Sequence, residues 1–274
     1  MKYAIVDIGS NAIKYKIFNK NLELVDYYRH PLRLGRDVFS RGYLEEKTIK
    51  DLLNLLLSYQ EVFEKKGIKN ISFIATSALR DTENSQQILE LLKDNNINLK
   101  IISGDTEASL LSEFNQTKKN TAVIDIGGGS LEMCINSNHD IHVKSFQLGA
   151  VRLLNLNKKD KALAIEELCI WLRQFKDIKQ LYGLGGNLRA LMQANSISGP
   201  IRTSDFNHLI NNYISIGNST LIQEYKIPED RIDIIPEALN LYCVIIEELS
   251  ADIIENSFWS ISDGMVRKIL KDQL

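Results

Sequence analysis

Residues 121–130 read TAVIDIGGGS, and residues 3–10 read YAIVDIGS. Each stretch is an apolar, β-branched run that ends in Asp-Ile-Gly and a short polar or glycine turn, and a second apolar segment follows. This order is typical of a strand, a tight turn and a second strand. Asp7 and Asp125 lie 118 residues apart, an interval too long for a solenoid repeat, so the pattern indicates a duplicated domain.

Outward from each hairpin, the pattern predicts a third strand and then alternating helices and strands. In the first half the predicted elements are a strand at 24–28, a helix at 45–66, a strand at 71–76, a helix at 85–93, a strand at 99–102 and a helix at 103–114. In the second half they are a strand at 141–146, a helix at 162–175, a strand at 180–184, helices at 187–194, 205–216, 219–225 and 236–249, a strand at 253–259 and a helix at 264–270. The order predicts two α/β domains with mixed sheets and a cleft between them, joined by a polar linker at 115–120.

Composition excludes several classes of protein. Of the 274 residues, 44% are hydrophobic and 25% charged, which is ordinary for a globular chain and excludes a disordered or collagen-like one. A net charge of −2 excludes a basic nucleic-acid-binding surface over the whole molecule. The three cysteines are far apart, and the chain shows neither a signal-peptide pattern nor a long apolar run. We therefore expect a cytoplasmic protein that binds neither nucleic acid nor membranes.

Three glycine-containing turns follow predicted strands, at 7–11, 125–130 and 183–187. Glycine permits positive φ and close approach of the backbone, so that consecutive N–H groups can converge on a phosphate oxygen. An ordinary turn is the alternative, and it would be preferred for the first loop taken alone. Together the loops predict phosphate binding. The candidate residues are Asp7, Gly9, Ser10, Asn11, Gly127, Gly128, Gly129, Ser130, Gly185, Gly186 and Asn187.

Carboxylates beside these loops predict a metal site. Asp125 ends its strand, and Glu132 lies on the next strand, where cross-strand pairing can bring the two together. Oxygen ligands of this kind suit Mg²⁺, the usual partner of phosphate, with Mn²⁺ as the alternative. A glutamate on a strand is otherwise most often a solvated surface residue.

These motifs resemble the exopolyphosphatase/guanosine pentaphosphate phosphohydrolase (Ppx/GppA) family, within the actin-like ATPase and sugar-kinase superfamily. The matching stretches occur in family order and cover most of the chain. They are residues 7–18, 33–39, 75–81, 102–111, 125–133, 146–153, 181–192 and 231–239.

The resemblance implies a short, two-domain member of the family. Its fold would be α/β, with two ribonuclease-H-like (actin-like ATPase) domains whose mixed sheets are flanked by helices, and with the active site in the interdomain cleft. The domains would span 1–118 and 119–274, with a C-terminal helix at about 263–274 that packs back on the first. The implied reaction is Mg²⁺-dependent hydrolysis of the terminal phosphoanhydride of inorganic polyphosphate, which releases orthophosphate, and we expect a homodimer.

Carried over by motif, Glu107 matches the family's catalytic base, Arg80 an arginine that meets phosphate, and Asp125 and Glu132 the acids that hold metal and water. The alternative interpretation of Glu107 is structural: a glutamate in the first turn of a helix compensates the helix dipole. The chain departs from the family pattern at Ala12, Lys14, Thr106 and Asn187. Two further functions therefore stay open. One is a guanosine pentaphosphate 5'-phosphohydrolase that takes guanosine penta- or tetraphosphate, and the other is a weakly active protein that binds polyphosphate or alarmone.

Overall fold

The computed structural model describes residues 1–115, 118–138 and 140–271. The chain divides into two units: the first comprises Met1–Glu107 and a second segment that begins at Ile261, and the second comprises Ala108–Ser260. Each unit contains one mixed β-sheet together with helices. In the described part of the chain, no helix is both long enough and apolar enough to cross a membrane.

The strands and helices follow the order that the apolar periodicity predicts. The strands are β1 (Lys2–Ile8), β2 (Ile13–Asn19), β3 (Leu24–His30), β4 (Asn70–Ala75), β5 (Leu99–Ile101), β6 (Thr121–Ile126), β7 (Leu131–Ser137), β8 (Asp140–Phe146), β9 (Gln180–Leu184), β10 (Ile201–Arg202) and β11 (Ile253–Ser257). The helices are α1 (Leu34–Arg41), α2 (Glu46–Lys65), α3 (Ser77–Asp81), α4 (Ser85–Asp94), α5 (Gly104–Asn115), α6 (Ala150–Asn155), α7 (Lys158–Leu172), α8 (Gly186–Ala194), α9 (Phe206–Ser215), α10 (Asn218–Gln223), α11 (Ile235–Leu249) and α12 (Ile261–Lys271).

The first unit is built on a five-stranded sheet in the order β3-β2-β1-β4-β5. Strands β1, β2 and β3 are antiparallel neighbours, whereas β1, β4 and β5 run parallel. Helix α2 buries Leu52, Leu56, Tyr59 and Phe63 in the core of this unit, and their spacing of three and four residues places them on one helical face. Helix α12 packs on β1, and its Asp263 Oδ2 accepts a hydrogen bond of 2.6 Å from Nζ of Lys16.

The second unit repeats this topology, which confirms the predicted duplication of the fold. Its sheet has the order β10-β11-β9-β6-β7-β8, so that β8-β7-β6-β9-β11 corresponds to the whole sheet of the first unit. Strands β6, β9 and β11 are parallel, and β6, β7 and β8 are antiparallel neighbours. The registers also agree, because Asp7 pairs with Lys14 across the first hairpin and Asp125 pairs with Glu132 across the second.

The predicted linker at 115–120 is wrong at its first residue. Asn115 ends α5 and is fully buried, and its Nδ2 donates to the carbonyl oxygens of Thr121 and Cys134, each at 3.3 Å. Asn136 Nδ2 in turn donates to the Asn115 carbonyl at 3.0 Å. A polar side chain that is exposed in most proteins here satisfies buried backbone groups. Residues 116–117 of the predicted linker lie outside the described residues.

The division between the units falls at 107/108, eleven residues before the boundary that the linker suggested. It lies inside α5, which continues through it without a break. Helix α12 belongs to the first unit and is described to Lys271, so 272–274 of the predicted helix lie outside the described residues. Four elements were not predicted from the sequence, namely α1, α3, α6 and β10, and the last strand ends at Ser257 rather than at residue 259.

Candidate active site

Ligands of open α/β sheets lie beyond the carboxyl ends of the parallel strands. In the first unit, β1 delivers Asp7 to this edge, where the side chain is 4% exposed. Nζ of Lys14 donates to Asp7 Oδ2 at 3.3 Å across the hairpin. The first hairpin therefore carries a carboxylate that is compensated by a cation of its own.

The loop after β1 is held by contacts from distant segments. Ser10 Oγ lies 2.8 Å from Ser77 Oγ at the start of α3, and Arg33 Nε donates to Asn11 Oδ1 at 2.7 Å. The Gly35 N–H donates to the Ser10 carbonyl at 2.7 Å. A Cβ on Gly35 would lie 2.9 Å from that of Ser10, so only glycine permits this approach. Arg33 and Gly35 lie in the matching stretch 33–39, but the sequence did not predict these contacts.

Arg80 and Glu107 form a largely buried ion pair beside the same edge. Arg80 Nη1 donates to Glu107 Oε1 at 2.7 Å and to the Ile102 carbonyl at 2.8 Å. Nη2 of Arg80 is buried and has no hydrogen-bond partner among the described residues. An unsatisfied buried donor on a charged group is costly, and such groups concentrate at functional sites. The Ser103 Oγ accepts the Thr106 N–H at 3.1 Å, which confirms the predicted start of α5 and places Glu107 in its first turn.

In the second unit, the position of the Asp7–Lys14 pair is taken by two carboxylates. Asp125 and Glu132 face each other in the β6–β7 register, and directly opposed residues of antiparallel strands project from the same face. Glu132 is 3% exposed and its Oε1 accepts a hydrogen bond of 2.9 Å from Ser145 Oγ. Among the described residues there is no cluster of three or more metal-ligating side chains. Two carboxylates nevertheless fit Mg²⁺, which uses one or two with phosphate oxygens and water as its other ligands.

The loop at 127–130 is fixed by α6, an element that the sequence did not predict. The N–H groups of Ala150 and Val151 donate to the carbonyls of Gly127 and Gly128 at 2.9 and 2.8 Å. Arg152 Nε donates to the Gly129 carbonyl at 2.7 Å. In the described residues, the N–H groups of Gly128, Gly129 and Ser130 donate to no backbone carbonyl. With its carbonyls tied to α6, the loop keeps these N–H groups available for an anion.

Gly149 precedes α6 and packs directly on this loop. A Cβ on Gly149 would lie 2.2 Å from the carbonyl carbon of Gly129 and 2.3 Å from the amide nitrogens of Gly129 and Ser130. The residue thus permits the contact between α6 and the loop, and sequence reasoning missed it. Its signal was present as the glycine of the matching stretch 146–153.

The third loop, between β9 and α8, is approached by side chains of both charges, Asp125 and Arg231. Gly185 has φ +78°, and a Cβ there would lie 3.5 Å from Asp125 Oδ1. Asn187 Nδ2 donates to the Ile126 carbonyl at 3.0 Å, which joins this loop to the end of β6. Arg231 Nη1 donates to Asn187 Oδ1 at 3.4 Å and lies 2.1 Å from where a Gly186 Cβ would be. Arg231 is a further functional candidate, found in the matching stretch 231–239 but not singled out.

Tyr242 is buried beneath this loop. A Cβ on Gly183 would lie 2.7 Å from its hydroxyl oxygen, so the glycine makes room for the ring. Burial, with a smaller contribution from the Asp125 charge, raises the pKa of the Tyr242 phenol well above its usual range. Tyr242 is therefore a buried and neutral neighbour of Gly183 at physiological pH.

The structure thus gathers the predicted residues into two groups, each at the carboxyl edge of its own sheet. The first unit holds Asp7, Gly9, Ser10, Asn11, Arg80 and Glu107, and the second holds Gly127, Gly128, Gly129, Ser130, Gly185, Gly186, Asn187, Asp125 and Glu132.

Comparisons with known proteins identify the family of the chain. The family model described as the Ppx/GppA phosphatase family matches residues 15–273. A bifunctional 3-dehydroquinate synthase/phosphatase of Fusobacterium nucleatum is 31% identical over 65% of this chain and 31% of its own length. A putative exopolyphosphatase of Haemophilus influenzae is 22% identical over 98% of this chain and 91% of its own. A guanosine-5'-triphosphate,3'-diphosphate pyrophosphatase of Pseudoalteromonas atlantica is 24% identical, and the chain spans 59% of its length.

Solved structures support the fold. An exopolyphosphatase from Cytophaga hutchinsonii superposes with a TM-score of 0.86 at 20% identity, over 99% of this chain and 98% of its own. A Ppx/GppA family member from Aquifex aeolicus superposes with a TM-score of 0.77, also at 20% identity, over 100% and 99% of the two chains. At this identity the likeness concerns the fold, which is the one that the sequence motifs implied.

Proposed function

Because the chain belongs to the Ppx/GppA phosphatase family, we propose that it hydrolyses the terminal phosphoanhydride bond of inorganic polyphosphate with Mg²⁺ and releases orthophosphate. The observation that carries this proposal is the loop at 127–130. The N–H groups of Gly128, Gly129 and Ser130 donate to no backbone carbonyl within the described residues, and the loop joins the two strands that carry the paired carboxylates Asp125 and Glu132. Anion donors beside cation ligands are the combination that a metal-bound phosphate needs.

Phosphoryl transfer depends mainly on positioning and charge stabilisation. In this proposal the N–H groups of the loop hold phosphate oxygens, and Arg80 stabilises charge on the equatorial oxygens. Glu107 orients the attacking water and accepts its proton, with Arg80 at 2.7 Å fixing the carboxylate. Asp125 and Glu132 would hold Mg²⁺, which supplies charge neutralisation to the phosphate when bound.

The substitution Glu107→Gln tests the proposed base. We expect phosphate release from polyphosphate to fall by about 10²–10⁴-fold, since that is what a lost general base typically costs. Binding of polyphosphate, measured by calorimetry, should be retained because the amide keeps the shape of the side chain. Wild-type activity should also disappear in excess EDTA and return with added Mg²⁺.

The matched control is Glu90→Gln, which removes an exposed carboxylate on α4 and should leave phosphate release unchanged. The unfolding temperature of each variant shows whether loss of the Arg80 pair has damaged the fold, in which case Glu107→Asp keeps the charge and tests the position alone. If a folded Glu107→Gln protein retains more than about a tenth of the wild-type activity, Glu107 is not the general base. Full activity in EDTA would remove the metal from the proposal.

A second candidate, hydrolysis of guanosine pentaphosphate, has the same chemistry. One relative bears the name of an enzyme of that kind. Phe258, whose ring is 74% exposed, directly follows β11, whose last residue pairs with the last residue of β9, and an exposed aromatic ring favours a substrate with a nucleobase. Parallel assays of phosphate release from long-chain polyphosphate, guanosine pentaphosphate and ATP separate the two candidates.

A further inference from the structure

A row of three directly opposed residues crosses the second sheet near the carboxyl end of β6. Asp125 on β6 pairs with Glu132 on β7, and Glu132 pairs in turn with Ser145 on β8. Directly opposed residues of antiparallel strands project from one face, so these three side chains, the carboxylate row, stand side by side. Ser145 lies one residue before the matching stretch 146–153, and the sequence gave it no role.

Ser145 engages one oxygen of the Glu132 carboxylate. Its Oγ donates to Glu132 Oε1 at 2.9 Å, and Glu132 is 3% exposed. Water has little access to this carboxylate, so the hydroxyl of the neighbouring strand supplies part of the hydrogen bonding that water would otherwise give. The orientation of the carboxylate is therefore fixed, because the two strands that carry the donor and the acceptor are themselves paired.

The duplicated fold supplies an internal comparison for this row. At the corresponding positions of the first unit, Asp7 pairs with Lys14, and Lys14 pairs with Arg29 on β3. The row of the first unit thus holds one carboxylate and two cations, whereas the carboxylate row holds two carboxylates and a neutral hydroxyl. Its third member donates a hydrogen bond without adding a charge, so the row keeps two negative charges for a cation.

We propose that Ser145 is a positioning residue of the metal site, which fixes Glu132 for Mg²⁺ and thereby favours Mg²⁺ over Ca²⁺. This inference rests on the proposed function for the presence of the metal and adds what selects the ion. Mg²⁺ demands a near-ideal octahedron of oxygen ligands, whereas Ca²⁺ accepts flexible ligands and takes carboxylates through one oxygen or both. A carboxylate whose one oxygen is held by a hydroxyl suits Mg²⁺ better than Ca²⁺. Groups that orient a metal ligand in this way typically contribute about 10–100-fold to metal affinity.

The test titrates metal ions and needs no turnover. Mn²⁺ binding to the protein is measured by electron paramagnetic resonance, and Mg²⁺ and Ca²⁺ are then titrated as competitors. Ser145→Ala should weaken Mg²⁺ binding by about 10–100-fold and Ca²⁺ binding by clearly less, so that the preference for Mg²⁺ falls. Ser145→Thr keeps the hydroxyl and suits a strand, so it should restore both dissociation constants.

Two controls accompany these variants. Ser137→Ala removes a hydroxyl from the far end of β7, five residues from Glu132, and should leave both constants unchanged. Asp125→Asn should abolish the competition, which assigns the titrated ion to the carboxylate row. If Ser145→Ala does not fold, Ser145→Cys takes its place, because a thiol keeps the shape of the side chain but is a much weaker donor.

The outcomes separate this inference from the proposed function. Equal losses of affinity for Mg²⁺ and Ca²⁺, or unchanged constants in a folded Ser145→Ala protein, would overturn the positioning role. A wild-type protein that binds no Mn²⁺ would overturn it as well. If the wild-type protein releases no phosphate from polyphosphate but Ser145→Ala shows the expected change of metal preference, the proposed function fails and the role of Ser145 stands.

Discussion

At the scale of single residues, Gly149 carries one of the tightest contacts in the second unit. Its Cα rests against the Gly129–Ser130 peptide, and a Cβ would come within 2.2 to 2.3 Å of three backbone atoms. Backbone atoms cannot escape by a change of rotamer, so the loop or α6 would have to move. The contact ties the helix to the loop that is proposed to bind phosphate.

We expect Gly149→Ala to lower the free energy of unfolding by about 1–3 kcal/mol, the usual cost of overpacking, and to weaken phosphate binding as the loop shifts. Chemical denaturation gives the first value and calorimetry the second. Gly217→Ala is the control, because no atom lies within 4 Å of its Cβ position and its φ of −65° suits any residue. The control should stay within about 0.5 kcal/mol of wild type. Equal effects from both substitutions would contradict the packing argument.

The contact of Gly149 also shows which features the sequence does not predict. The motif around Gly149 was visible, but the contact joins positions about twenty residues apart, and periodicity does not report such contacts. Arg231 was missed for a similar reason, since it reaches Gly186 and Asn187 of the third loop only once the chain has folded. By contrast, Asp125 and Glu132 were paired correctly in advance, because hairpin register follows from the strands and the turn between them.

At the scale of elements, α12 is held on the first sheet by a charge pair. Lys16 on β2 and Asp263 on α12 lie 2.6 Å apart, with side chains that are 10% and 21% exposed. A pair so shielded from water behaves differently from one on the surface, because removal of one partner leaves the other ion poorly solvated.

Asp263→Ala should therefore lower the free energy of unfolding by about 2–4 kcal/mol, somewhat less than the roughly 3–5 kcal/mol lost when a fully buried pair is broken. Equilibrium unfolding in urea measures the change. The control is Glu61→Ala, which breaks the exposed Lys65–Glu61 pair of α2 and should cost about 0.5 kcal/mol or less. If Lys16→Met combined with Asp263→Ala is no more stable than Asp263→Ala alone, the cost does not come from the charge of Lys16.

The long elements were predictable and the short ones were not. The two hairpins, α2 and α11 were found from their apolar periodicity, with ends close to those observed. Helices α1, α3 and α6 span only five to eight residues, too few for a helical period to show. Such helices are stabilised by their packing partners rather than by local preference. They nonetheless hold much of the candidate site, including Arg80 in α3.

At the scale of the whole molecule, buried phenols and thiols make the free energy of unfolding fall as the pH rises in the alkaline range. Burial raises the pKa of Tyr213 to about 12, that of Cys134 to about 12 and that of Tyr59 beyond the usual range of a phenol. In the unfolded chain these groups ionise near their ordinary values, about 10 for tyrosine and about 8.5 for cysteine. The folded state holds more protons above those values, so stability is complete below them and falls as the pH rises.

Tyr213→Phe isolates one of these contributions. At pH 11 the Tyr213 phenol is ionised in the unfolded chain but not in the folded protein, which lowers the free energy of unfolding by about 1.4 kcal/mol. Between pH 8 and pH 11 the variant should therefore lose about 1.4 kcal/mol less stability than wild type. At pH 8 the change should be small, because within the described residues the Tyr213 hydroxyl is buried without a hydrogen-bond partner. Tyr43→Phe, at a site that is 45% exposed, should follow the wild-type pH profile. Identical profiles for both variants would contradict the assignment to Tyr213.

The division of the first unit into two chain segments has a consequence for biosynthesis. A ribosome delivers the chain from its N-terminus, so all of 108–260 emerges after the first five strands and before α12. At ~5–20 residues per second, β1 and Lys16 wait on the order of ten seconds for their helical partner. During that interval the second unit already has its complete sequence, while the older part of the chain is still missing α12. The unit whose synthesis begins first is therefore completed last. Until α12 is synthesised, the surface of β1 on which it packs is exposed to chaperones that bind nascent chains.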